Sequence, residues 1–186
     1  MIGHLHRVSL LLLALLLALL LAPCASAAVS DADSAGFTVS IDSRIAASRS
    51  DVYTTFVDDV GRWWSGDLTV SGLAETLFID ARPMGCFCEA LASGGIVHMT
   101  VTLVDTNNML RLTGGLGPLG LMGVAGNMTI EFSDADDATA VKLTYAVGGY
   151  HPDGLDTLAP QVDAVLKTQL DRLRRYVESG DPDSGN

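Results

Sequence analysis

From Glu75 to Val147 apolar and polar side chains alternate along a succession of strand-length segments. After a turn rich in Gly, Pro and Asp the pattern becomes one helical stripe: Leu158, Val162, Val165, Leu166, Leu170, Leu173 and Val177. The first periodicity makes a sheet with one apolar face and the second a helix with one apolar side, and both leave water only by packing together. The expected class is therefore α+β, an antiparallel sheet with a long C-terminal helix. Pro160 suits the first turn of that helix, where no N–H is needed. Arg172, Arg174 and Arg175 suit its negative end, and Gly180 is the expected stop.

Strand registers follow from pairing like with like. The acidic turn Ala135 to Ala138 sets Phe132 opposite Val141, Ile130 opposite Leu143 and Met128 opposite Tyr145, with Glu131 and Lys142 outside. The turn Asp105 to Asn108 sets Val101 opposite Leu112, Leu103 opposite Leu110 and Thr102 with Arg111. A third hairpin around Ser93-Gly94 sets Cys86 opposite Val101, Cys88 opposite Met99 and Glu89 opposite His98. Upstream, Phe37, Val39, Ile41 and Ile45 mark a half-buried first strand. Ser48 and Asp51 form a capping box for a helix from Arg49 to about Val60 that buries Val52, Phe56 and Val60 and ends before Trp63-Trp64.

The N-terminus reads differently. The unbroken Leu/Ala run from Leu10 to Ala22 is shorter than the about 20 residues a bilayer span needs, and Ala25-Ser26-Ala27 supplies a small-x-small site. Residues 1–27 are expected to be a secretory signal peptide cleaved after Ala27. Lipid attachment at Cys24 is disfavoured by Pro23 before it. The protein is thus expected to be exported, to the periplasm first, with extracellular release by the same signal, and without a stable membrane span in the mature chain. Residues 28–36 read as a flexible linker, 37–179 as one domain with its own core, and 180–186 as an acidic disordered tail. With 22 acidic against 11 basic residues and a net charge of -11, the chain lacks the attraction that nucleic acid or an anionic membrane surface would require.

Several local strings carry a resemblance. They are the Phe37 to Ile45 strand, the Ser48-capped helix ending at Trp63-Trp64, Arg82-Pro83-Met84-Gly85 leading into Cys86-Phe87-Cys88-Glu89, Gly94-Gly95, Gly114-Gly115-Leu116-Gly117-Pro118-Leu119, Leu143-Thr144-Tyr145 and the terminal helix. In this order they resemble the START-like or helix-grip superfamily, also called SRPBCC, which includes polyketide cyclases and heat-shock-ATPase-activator-like proteins. The resemblance covers about residues 37 to 178. It implies a helix-grip fold, in which a curved sheet wraps the terminal helix and encloses an apolar cavity. Members use that cavity for carriage, cyclisation, dehydration or protein contact, so the fold alone assigns no chemistry.

The inward face supplies Val97, Met99, Val101, Leu110 and Leu112 from one half of the sheet. Met128, Ile130, Leu143 and Tyr145 come from the other half, with Val162 and Leu166 above them. Alternation cannot separate a lined cavity from a filled core; the resemblance favours the cavity. Cys86 and Cys88 join this wall in the register above, either as two thiols or, if a bulge after Gly85 draws them together, as a disulfide. They are too few for a metal site, and no metal or cofactor is expected. Tyr145 could donate to a ligand carbonyl. Glu89 and His98 could form an acid–base pair, but the register puts them on the polar face as a surface ion pair; a bulge at Gly85 or Gly94 would turn Glu89 inward. The segment Gly114 to Gly126 lacks the Gly-Lys-Ser/Thr of a nucleotide loop and reads as an apolar lid or an irregular connection. Tyr150 and His151 belong to the turn before the helix.

The leading expectation is an exported protein that binds or carries a small hydrophobic molecule, a lipid or aromatic metabolite. The alternative is a polyketide cyclase- or dehydratase-like enzyme using Tyr145 and an inward Glu89. A third reading is a protein-interaction module.

Overall fold

The computed structural model describes residues 29–185. The expected signal peptide, its cleavage site and Cys24 lie outside the described residues. Eight strands form one antiparallel sheet: β1 (Val29–Asp33), β2 (Gly36–Ile45), β3 (Leu77–Ile79), β4 (Cys86–Leu91), β5 (Gly94–Asp105), β6 (Met109–Thr113), β7 (Gly123–Ala135) and β8 (Ala138–Tyr150). Their spatial order is β1-β2-β8-β7-β6-β5-β4-β3. Between β2 and β3 lie α1 (Arg49–Asp58) and the single turn α2 (Val60–Trp63), and the chain ends with α3 (Ala159–Ser179). The architecture is a curved antiparallel sheet gripping a long C-terminal helix, the class expected from the two periodicities.

Local chemistry explains the helix ends. Ser48 Oγ accepts from the Asp51 amide at 3.2 Å, and its hydroxyl donates to the Asp51 carboxylate at 2.7 Å. This secures the start of α1. Gly180 closes α3 with φ 78°, a left-handed cap that glycine adopts without a Cβ penalty. Leu166, Leu170 and Leu173 of α3 are buried, as the stripe predicts, and α3 lies along β2.

The β7–β8 register is the expected one throughout, including Met128 opposite Tyr145 and Glu131 opposite Lys142. The β5–β6 hairpin keeps Val101 opposite Leu112, but Leu103 meets Arg111 and Val104 meets Leu110. The turn holds three residues, Thr106 to Asn108, with Asn107 at φ 66°; it is one residue longer than expected, and the register shift between Val101 and Leu103 absorbs the difference. In the β4–β5 pair Phe87 faces Met99 and Cys88 faces Val97, which leaves His98 as an extra residue in a bulge. Phe87 thereby takes the inward place expected of the cysteines, and Val97, expected inward, is 63% exposed.

The boundary segments also differ from expectation. Residues 29–33, read as part of a linker, form the edge strand β1 against β2. The C-terminal acidic segment folds back on α3, where Arg172 binds the Asp183 carboxylate and Arg175 Nε donates to the Pro182 carbonyl at 2.7 Å. Among the described residues no helix is long and apolar enough to cross a membrane.

Candidate functional site

An apolar slot lies where α1, α2 and α3 meet the sheet. Its wall combines Phe56, Val60, Trp63 and Trp64 from the first helices with Ile79, Phe87, Leu112, Met128 and Leu143 from the sheet. Leu116 closes one side, and Leu166, Gln169 and Leu170 come from α3. The aromatic rings form a chain with centroids 5.4 Å apart for Phe56–Trp63, 5.5 Å for Trp63–Trp64 and 5.3 Å for Trp64–Phe87. Trp63 is fixed at both ends: its indole N–H donates to the Thr55 carbonyl at 3.1 Å, and its own carbonyl accepts from Arg172 Nε at 2.9 Å. The free space is about 20 Å³, near what one water needs. In this conformation the slot is closed on itself.

Four of the expected wall residues, Leu112, Met128, Leu143 and Leu166, line this slot. Met99, Val101, Leu110, Ile130 and Tyr145 are buried in the core beside it, and Val162 packs against the core half-buried. Cys86 and Cys88 flank Phe87 and so point to the other face of β4. They form a disulfide with a Cα separation of 5.4 Å. The aromatic part of the wall escaped the sequence reading because Trp63 and Trp64 read as the end of a helix. Phe56, seven residues before Trp63, was the available signal.

The segment between β6 and β7 covers one side of the slot and carries the short 3₁₀ turn Gly117–Leu121. Leu119 is buried and Leu116 faces the slot, while Leu121 at the tip is 94% exposed. A Cβ on Gly115 would lie 2.7 Å from Gly120 N, so the glycines let the segment fold tightly on itself. Tyr145 holds it down: its hydroxyl donates to the Gly114 carbonyl at 2.9 Å and accepts from the Leu116 amide at 3.1 Å. Gly126 leaves room for the ring, since a Cβ there would sit 2.5 Å from Tyr145 Cε2. Burial raises the phenol pKa, and the bond from the Leu116 amide only partly opposes this. Tyr145 is thus a neutral clamp on the covering segment. Tyr145→Phe is expected to cost about 1–2 kcal/mol and to speed hydrogen exchange at the Leu116 amide; unchanged protection of that amide would show that the hydroxyl is not the clamp.

Glu89, expected on the polar face, is only 1% exposed. The bulge at His98 changes the register, so Glu89 points inward and the imidazole folds toward it. Glu89 Oε2 accepts from His98 Nε2 at 3.0 Å and from the Val70 amide at 3.1 Å, and Oε1 accepts from the Ser71 amide. Burial by itself would raise the carboxyl pKa. The bonds from Ser71, Val70 and His98 outweigh it and hold the group at about 2. The pair is buried, which corrects the surface reading. It secures the loop before β3, and a carboxylate with its oxygens so engaged is a poor proton acceptor.

One polar group in the slot wall was missed. Gln169 occupies the buried side of α3, three residues after Leu166, where the stripe calls for an apolar residue. Its Oε1 accepts from the Ser65 amide at 2.9 Å. Its Nε2 is buried and has no partner. Leaving such a group unpaired costs roughly 1–3 kcal/mol. Among the described residues no three His, Cys, Asp or Glu side chains gather as a metal site requires.

Solved structures share this architecture at low sequence identity. A conserved protein of unknown function from Enterococcus faecalis superposes with a TM-score of 0.56 at 15% identity, over 83% of this chain and 80% of its own. CalU16 from Micromonospora echinospora gives 0.52 at 15% identity, over 78% of each chain. Aha1 from Colwellia psychrerythraea, solved as a dimer, gives 0.53 at 17% identity, over 77% of this chain and 97% of its own. Neither a protein-family model nor a curated protein matches the sequence. The chain shares its fold, a curved antiparallel sheet around a long C-terminal helix, with these proteins.

Proposed function

We propose that the protein is an exported START-like carrier of a small hydrophobic molecule, a lipid or an aromatic metabolite, taken up between the sheet and α3. The observation that carries this reading is the slot with its cover. Apolar and aromatic side chains meet around a space that is not quite filled, and one wall is a glycine-rich segment that the Tyr145 hydroxyl pins at Gly114 and Leu116. Moving that segment would withdraw Leu116 from the slot wall and open the space on that side. The leader-like N-terminus supports an exported protein with a periplasmic address.

The enzyme reading draws less support. Tyr145 and Glu89, its two proposed acid–base groups, spend their polar atoms on backbone groups and on His98 rather than on the slot. Native mass spectrometry of the protein purified from its own host without denaturation tests the proposal. A stoichiometric apolar adduct that is released by organic solvent is expected. A protein that stays free of adduct after incubation with mixed lipids and aromatic polyketides would overturn it.

A further inference from the structure

One residue of the slot wall, Gln169, carries a side-chain amide, and its chemistry is asymmetric. The Ser65 backbone N–H can only donate, so the side of Gln169 facing it at 2.9 Å must be the carbonyl oxygen. The chemistry of the donor thus fixes the orientation of the amide. The NH₂ group therefore faces away from Ser65, is buried, and finds no acceptor. Gln169 belongs to the slot wall, whose other residues are aliphatic or aromatic; of the two indoles there, the N–H of Trp63 is committed to the Thr55 carbonyl. A single water would fit the space, but this apolar wall does not offer the two to four polar partners it needs.

We infer that Gln169 Nε2 is the selector of the slot, donating a hydrogen bond to one acceptor oxygen of an otherwise apolar, uncharged ligand, a ketone, quinone or ester. This rests on the reading of the slot as a ligand site and narrows it to a chemical class. A hydrocarbon would fill the space but leave the N–H unpaired. A carboxylate would bring a charge to a wall with no cation among its lining residues, and burying it there would be unfavourable. A neutral carbonyl satisfies the donor without adding a second unmet group. The inward Gln169 also explains why a polar residue stands on the apolar stripe of α3: Oε1 braces the chain after Trp64, and Nε2 is left for the ligand.

The test is isothermal titration calorimetry of the purified protein with three probes of one shape class: 2-acetylnaphthalene, the matching hydrocarbon 2-isopropenylnaphthalene, and 2-naphthoate. The ketone is expected to bind about fivefold to tenfold tighter than the hydrocarbon, as one net hydrogen bond allows, and 2-naphthoate weakest. Gln169→Leu is expected to abolish the difference between ketone and hydrocarbon while the hydrocarbon still binds. Equal affinity of the wild type for ketone and hydrocarbon, or a preference that persists in Gln169→Leu, overturns the assignment of Nε2 and leaves the slot as a ligand site. Binding of none of the probes overturns the ligand site itself, and the assignment with it. Because Gln169→Leu also removes the brace on Ser65, the wild-type side-chain amide gives a second readout. Its proton resonance should move downfield with 2-acetylnaphthalene and stay in place with the hydrocarbon; no movement with a bound ketone overturns the inference.

Discussion

Glu89→Ala is expected to destabilise the protein by about 3–5 kcal/mol, a large share of the about 5–15 kcal/mol that holds an ordinary domain together. The carboxylate is buried and receives the Val70 and Ser71 amides and His98 Nε2, so its removal strands three donors at once. The loop from Ser65 to Leu73, which has little other anchorage to β4, should detach first. Acidity gives the effect a second signature. The folded pKa of Glu89, about 2, lies below its ordinary value of 4.5. Its contribution is therefore complete above pH 4.5 and is lost as the pH falls from there toward 2. Denaturant titrations at pH 7 and pH 3 should show the gap between wild type and Glu89→Ala narrowing at the lower pH. A constant gap would mean that the stabilisation does not come from the ionised carboxylate.

The second large effect is expected at Trp63. Trp63→Ala removes a fully buried indole that touches Phe56 and Trp64 and closes a hydrogen bond to Thr55, at a cost of about 3–5 kcal/mol. The same change should turn the closed slot into an open cavity on the order of 150 Å³, the size that binds benzene in engineered apolar sites. The variant should therefore recover part of its lost stability when benzene is added, visible as a rise in Tm that the wild type shows far more weakly. If benzene leaves the variant unchanged, the space has been refilled by its neighbours and the wall described here is not rigid.

Much of this fold was legible because buried strands and helices repeat on fixed periods. The β7–β8 hairpin could be registered residue by residue, since Phe132, Ile130 and Met128 have one set of apolar partners across a short acidic turn. Ser48, Asp51 and Gly180 marked helix ends through their hydrogen-bonding and backbone preferences. The candidate site was less legible. A bulge is a single extra residue with no compositional mark, and the one at His98 moved Glu89 inward, placed Phe87 where the cysteines were expected and sent Val97 to the surface. Tyr145 was rightly singled out as a buried phenol needing a partner, but alternation could not show that the partner is the backbone of Gly114 and Leu116. Gln169 was missed because a helical stripe is read from its apolar members, whereas the chemistry lies in the one that breaks the pattern.

The central claim is that the slot under α3 admits an apolar molecule. Trp63 and Trp64 are the only two tryptophans in the sequence, and both line it. Bromocyclohexane, which absorbs no exciting light and quenches indole fluorescence on contact, reads its occupancy directly. The account predicts quenching that saturates at a defined bromocyclohexane concentration. Quenching that rises only in proportion to concentration, as it does for a free tryptophan amide in solution, would contradict it.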